Sequence, residues 1–173
     1  MADQVRQLYW DTSCFICFLN RSEIDRRAIC EDILRNAKEG NIRLFTSTFT
    51  ITEVMYPKRS SIPNPRRLTR AESDKIAGMF KWSWLRKIDV DQRIAQKAVE
   101  YCRDYDMLPS DAVHAATAVL RGVEALQNWD RDFSRIRHLV TVESPSRIST
   151  QASFDDVLAR LGPHPDDFRG TGR

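Results

Sequence analysis

No stretch of this sequence approaches the ~18 consecutive apolar residues that span a bilayer, so a membrane protein is not expected. Nor does a basic segment followed by an apolar run open the chain, so no secretory leader is read and the cytoplasm is the expected location. Glycine is scarce, at six residues, and builds no Gly-rich phosphate loop. The three histidines, His114, His138 and His164, are scattered, and no Ser-His-Asp or Cys-His arrangement forms. Cysteine is limited to Cys14, Cys17, Cys30 and Cys102. Cys14 and Cys17 make a C-x-x-C, but no second C-x-x-C or paired His completes a zinc site. The run Cys-Phe-Ile-Cys-Phe-Leu reads instead as a buried helical turn in which thiols act as small apolar groups. Reduced thiols suit the cytoplasm.

What is present is a balanced globular composition, 42% hydrophobic and 29% charged over 173 residues. That suffices for one domain with a full core. The formal net charge of +3 separates no partner class from another. Its distribution says more, because Lys58, Arg59, Arg66, Arg67 and Arg70 fall in one stretch free of Asp and Glu. Such a cluster reads either as a phosphate contact or as a solvated loop.

Short apolar runs alternate with helical stretches, the rhythm of an α/β fold with a parallel sheet. Gln7 to Trp10 is the expected first strand, followed by a short helix through Phe18 and a second from Asp25 to Lys38, with Gly40 past its end. Arg43 to Thr46 reads as the second strand, and Thr48 as the cap of a helix carrying Ile51, Val54 and Met55. Pro57 stops that helix, and with Pro63 and Pro65 it makes the basic segment to Leu68 a loop. Thr69 and Glu72 have capping-box spacing and open a helix to Trp82. Leu85 to Val90 is a strand, and Asp91 caps a helix through Tyr105. Pro109 opens an alanine-rich helix to Leu120, ending at Gly122. Val123 to Gln127 and His138 to Val142 are the fourth and fifth strands. Ser153 caps a last helix to Leu161. One domain over residues 1–162 is expected, with a frayed, flexible tail over 163–173.

Four carboxylates stand at the edges of apolar runs on this map: Asp11, Glu53, Asp111 and Asp130. A charge so close to buried surface is costly unless hydrogen-bonded, paired or bound to a cation. Asp11 and Asp130 each follow a strand directly, and Asp111 lies in the first turn of a helix. Ligands gather outside the carboxyl ends of strands in open α/β sheets, so these three can converge there. Glu53 sits on a helix that need not face that edge. Taken singly, each acid has a structural explanation. Asp11 serves as a helix cap, Glu53 as a surface residue, Asp111 as a dipole partner and Asp130 as a turn residue beside Asp132. Together they suggest one site for a hard divalent metal.

These residues resemble the PIN domain, particularly the VapC-type toxins of bacterial toxin–antitoxin pairs, from about Leu8 to Val142. Tyr9-Trp-Asp-Thr-Ser resembles the family's strand-end acid followed by hydroxyls. Thr46-Ser47 with Ile51-Thr-Glu-Val resembles its second motif, Leu108-Pro-Ser-Asp-Ala-Val-His-Ala-Ala-Thr-Ala its third, and Asn128-Trp-Asp-Arg-Asp-Phe its fourth. The resemblance implies a three-layer α/β/α sandwich around a parallel sheet of about five strands. It further implies that Asp11, Glu53, Asp111 and Asp130 hold Mg²⁺ or Mn²⁺ at a nuclease centre, with Ser13 and Asn128 as supporting polar residues. Trp129 is bulkier than the family pattern, and Asp132, two residues after Asp130, stands as an alternative acid. A homodimer neutralised by a small antitoxin is implied as well. The helix from Thr69 to Trp82, with Trp82 and Trp84 near its end, reads either as that contact surface or as ordinary core.

Phosphodiesters and clustered carboxylates repel, so the implied chemistry requires cations between them. Mg²⁺ prefers oxygen ligands and keeps waters, which leaves room for a substrate phosphate. The expected activity is therefore metal-dependent hydrolysis of RNA, with Lys58, Arg59, Arg66, Arg67 and Arg70 guiding phosphates. His114, three residues after Asp111, reads as structural or exposed, and the scattered histidines argue against a metal-free ribonuclease. Two alternatives are a PIN-like module that binds RNA or protein without cutting, and a small-molecule phosphatase. The second is disfavoured because no Asp-x-Asp pair stands at the first strand end.

Overall fold

Strand-forming runs and amphipathic helices alternate through the computed structural model, which describes residues 5–55, 68–129 and 132–148. In chain order the elements are β1 (Arg6–Trp10), α1 (Thr12–Leu19), α2 (Ile24–Glu39), β2 (Ile42–Ser47), α3 (Thr48–Met55), α4 (Arg70–Met79), β3 (Leu85–Ile88), α5 (Gln92–Tyr105), α6 (Pro109–Arg121), β4 (Ala125–Gln127), a 3-10 turn (Asp132–Ile136) and β5 (Thr141–Glu143). The sheet runs β3-β2-β1-β4-β5, and every neighbouring pair is parallel.

β1 lies at the centre, and its alternation divides the core. Leu8 and Trp10 pack with Cys14, Phe15, Ile33, Leu34, Val54, Ile76 and Met79, from the helices α1 to α4. Tyr9 turns the other way, to Phe45, Ile94, Ala98, Ala112, Ala115 and Phe133 around α5, α6 and the 3-10 turn. The result is the expected three-layer sandwich. Its alanine-rich α6 lets backbone approach the sheet closely, since five of its residues from Ala112 to Ala118 are buried alanines or Thr117. No helix among the described residues is long and apolar enough to cross a membrane.

Local chemistry explains most boundaries. Asp91 accepts a hydrogen bond from the Ile94 N–H at 2.9 Å and caps α5. Thr69 and Glu72 form both halves of a capping box at α4. Gly40 and Gly122 end α2 and α6 at φ of 84° and 68°, a left-handed conformation that glycine adopts without steric cost. Cys14, Cys17 and Cys30 are buried free thiols, as the core reading expects.

Several expected boundaries shift. α4 ends at Met79, not Trp82, and Trp82 and Trp84 stack at 4.8 Å between ring centroids, partly buried against the core. Thr48 lies inside α3, and the Ser47 hydroxyl accepts the Phe49 N–H at 3.1 Å in the capping position. β3 stops at Ile88, β4 starts at Ala125, and β5 covers Thr141–Glu143. β5 therefore begins three residues later than expected and ends one residue later. The expected Ser153 to Leu161 helix, the loop from Pro57 to Arg67 and the 163–173 tail lie outside the described residues.

Candidate active site

Strand order reverses at β1: the chain builds β2 and β3 on one side, then crosses to β4 and β5 on the other. The crevice between β1 and β4 is therefore the topological switch point, where α/β sheets leave room for ligands at the carboxyl ends. Asp11 follows β1 and Asn128 follows β4, so both border this crevice.

Asp11 is 5% exposed and caps α1, with its Oδ1 accepting from the Cys14 N–H at 3.3 Å. The capping explanation thus holds, and it coexists with a second function of the same oxygen. Ser13 Oγ donates to Asp11 Oδ1 at 2.7 Å and accepts from the Trp129 N–H at 3.0 Å. One hydroxyl in this way ties the exit of β1 to the exit of β4. Asn128 is 2% exposed, and its Oδ1 has no hydrogen-bond partner among the described residues. A buried oxygen left without a donor costs about 1–3 kcal/mol, so this one is available to a donor or a cation in the crevice.

Glu53 is held from two sides. Thr12 Oγ1 donates to Glu53 Oε2 at 2.5 Å, and His114 Nε2 contacts the same oxygen at 2.8 Å. The glutamate side chain is 17% exposed and the histidine 2%. Glu53 is therefore no surface residue, and α3 does face the carboxyl edge of the sheet. His114 is buried on α6, three residues beyond Asp111, which lies part-buried in the first turn of that helix. Ser110 Oγ lies 3.5 Å from Asp111 Oδ1.

Asp11 and Glu53 thus both stand at the exit of β1, Glu53 by way of Thr12, and Asp111 lies three residues before His114 on α6. Asp130 and the basic residues Lys58, Arg59, Arg66 and Arg67 lie outside the described residues. Arg70 is exposed at the start of α4, and Asp132 is exposed at the start of the 3-10 turn, away from the buried acids in character. Among the described residues no three His, Cys, Asp or Glu side chains stand close enough together to hold a metal ion. The donor chemistry nonetheless fits a hard divalent cation. Asp11, Glu53 and Asp111 offer oxygen only, and Asn128 adds its unsatisfied carbonyl.

Burial and the Asp11 charge both act on the groups around the crevice. Burial, chiefly, pushes the Cys14 thiol well above its ordinary range, and the Asp11 carboxylate adds to the rise. The protonated thiol donates to the Gln127 carbonyl at 3.3 Å. Burial likewise pushes the Tyr9 phenol well up, with smaller rises from Asp11 and Glu53. Two partners escaped sequence reasoning: Thr12 and Tyr9. Thr12 stood inside the quoted Trp-Asp-Thr-Ser, while nothing local to Tyr9 points to an acid far along the chain.

The comparisons agree with this architecture. The PIN-domain family model matches residues 8–139. A toxin–antitoxin complex from Klebsiella pneumoniae is 24% identical at a TM-score of 0.55, over 82% of this chain and 99% of that one. The Mycobacterium tuberculosis toxin VapC20, described as cleaving the sarcin–ricin loop, is 18% identical at 0.55, over 73% and 92%. VapBC2 from Rickettsia felis, solved on a DNA fragment from its promoter, is 16% identical at 0.56, over 81% and 99%. A comparison with curated proteins gave no match. With a family model that covers residues 8–139, and with them every described acid of the crevice, the chain belongs to the PIN-domain family.

Proposed function

We propose that this protein is an endoribonuclease dependent on Mg²⁺ or Mn²⁺, and the toxin of a toxin–antitoxin pair. The observation that supports the reading is a pair of hydrogen-bonded links at the switch point. Asp11 is linked through Ser13 to the backbone beside Asp130, while Glu53 is linked through Thr12 and His114 to the exit of β1 and to the helix of Asp111. The PIN family is generally one of nucleases, and one of the similar structures is named a toxin–antitoxin complex.

In this proposal Asp11, Glu53, Asp111 and Asp130 hold the cation, and Ser13 and Asn128, with Asp132 nearby, support them. A bound divalent cation supplies Lewis-acid polarisation of the phosphate and a more acidic water. The protein's own contribution is placement and charge. Without a cation, each carboxylate ~4 Å from a phosphate oxygen costs about 4 kcal/mol at an effective dielectric of ~20. That repulsion excludes substrate until the acids are neutralised. Ser13 holds one carboxylate oxygen of Asp11, and the buried walls of Trp10 and Tyr9 keep the strand ends rigid. Lys58, Arg59, Arg66, Arg67 and Arg70 guide the RNA phosphates. The nuclease unit is one domain over 1–162, acting in the cytoplasm as a homodimer with a cognate antitoxin as partner.

The test is cleavage of a mixed RNA pool by wild type and Asp11→Asn with Mg²⁺, Mn²⁺ or EDTA. Cutting that requires both the metal and Asp11 is the expected result. Equal cutting by the variant in EDTA ends the proposal. A second reading, a non-catalytic module that binds RNA or protein, draws on the lack of a close three-acid group among the described residues. Tight RNA binding without cutting and without metal binding is the result that favours it.

A further inference from the structure

Across the carboxyl edge of the sheet, Tyr9, His114 and Glu53 form one chain of hydrogen bonds. Tyr9 OH lies 2.8 Å from His114 Nδ1, and His114 Nε2 lies 2.8 Å from Glu53 Oε2. The phenol is fully buried and the imidazole nearly so. Tyr9 stands on the central strand and packs in the α5–α6 layer, whereas α3 packs in the opposite layer. His114 therefore joins the two faces over the top of β1.

We infer that His114 is a positioning residue for Glu53, held as the Nε2–H tautomer by Tyr9 so that the glutamate is presented to the cation site. The inference rests on the metal-dependent reading of that site and deepens it. Its logic is one of proton count. A carboxylate has no hydrogen to give, so the 2.8 Å contact between His114 Nε2 and Glu53 Oε2 requires Nε2 to carry one. Nδ1 of the neutral ring is then the acceptor, and the single Tyr9 hydrogen points to it across 2.8 Å.

Thr12 Oγ1 sits 3.1 Å from Nε2 and donates to the same Oε2, so two donors converge on one oxygen. Two fixed donors on one oxygen remove the rotational freedom of the carboxylate. That is the role outer partners play around metal-binding groups, where their loss costs about 10–100-fold in metal affinity or activity. The ring of Phe49, 6.0 Å from the His114 centroid, flanks the imidazole on α3.

The experiment measures Mn²⁺ binding to the purified full chain by calorimetry, alongside the His114 tautomer by ¹⁵N NMR and thermal unfolding to confirm folding. Wild type, His114→Leu, His114→Gln and Tyr9→Phe are compared. The expected results are Nε2–H in wild type and an affinity loss of about 10-fold or more in His114→Leu. His114→Gln, whose amide keeps a donor near the Nε2 position, recovers most of it. Tyr9→Phe shows a mixed tautomer and an intermediate loss. A wild-type Nδ1–H tautomer overturns the inference, and so does wild-type affinity in His114→Leu. Should His114→Leu fail to fold, wild-type affinity together with an unchanged tautomer in Tyr9→Phe overturns it as well. A wild type that binds no Mn²⁺ removes the metal-dependent reading itself, and the inference falls with it. Failure of the inference alone instead leaves wild-type binding and cleavage intact.

Discussion

Trp10 and Tyr9 are neighbours in β1 and both fully buried, yet their polar ends feed two different hydrogen-bond systems. Trp10 Nε1 donates to Gln127 Oε1 at 2.8 Å, Gln127 Nε2 donates to Glu143 Oε1 at 2.8 Å, and Arg6 closes the row with bonds of 2.8 and 3.0 Å to the Glu143 carboxylate. This row follows the sheet register, Trp10 beside Gln127 and Gln127 beside Glu143. It ends in an ion pair near the surface. Tyr9 instead bonds His114, which bonds Glu53 at the crevice. The row on the Trp10 side satisfies buried donors within the sheet. The column on the Tyr9 side leaves the sheet and spends its last bond on an acid that strand pairing does not need. The difference teaches where to look for function: a polar chain that terminates in structure stabilises, and one that terminates at an open edge positions.

That contrast is breakable by substitution. Glu53→Gln, at the end of the Tyr9 column, is expected to lower RNA cleavage on the order of 10²–10³-fold. This corresponds to the several kcal/mol a Lewis-acid ion supplies, at tenfold per ~1.4 kcal/mol. Unfolding midpoints change little, and single-turnover cleavage of the RNA pool is the measurement. Gln127→Leu should do the reverse. It strands the Trp10 N–H and costs about 1–3 kcal/mol in urea unfolding, while cleavage per folded molecule holds. A large loss of cleavage in a folded Gln127→Leu protein would erase the distinction between the two systems.

A pH series sharpens it further. On the Trp10 side, burial first, then the neighbouring Cys17, push the Cys30 thiol up to about 12 from 9.0. A raised folded-state value means stability is fully present below the unfolded thiol value and is lost as pH rises from there toward 12. Urea midpoints should therefore decline through that alkaline window, and the decline should be shallower in Cys30→Ala. The Tyr9 phenol is also raised, so alkaline stress reaches both faces with the same sign. The smallest effect belongs to Arg6→Ala. Its ion pair is partly exposed, so roughly 0–1 kcal/mol is expected, less in high salt.

Much of this protein was legible in its sequence because the relevant physics is local. Caps at Asp91 and Thr69 and the left-handed glycine at Gly122 each act within a few residues, and the elements they predict are present. Asp11, Glu53 and Asp111 were singled out by apolar neighbours alone, because a charge beside buried surface demands a partner. The tertiary structure decided the rest. The orientation of Glu53 depends on how α3 packs over β1, which no helical period records. The burial of His114 depends on closure of α6 onto Tyr9, 105 residues away in sequence. Ser13's bridge to Trp129 exists only because β4 pairs with β1. Composition and spacing determined which side chains needed partners. Strand order, a matter of chain topology, decided which partners they met.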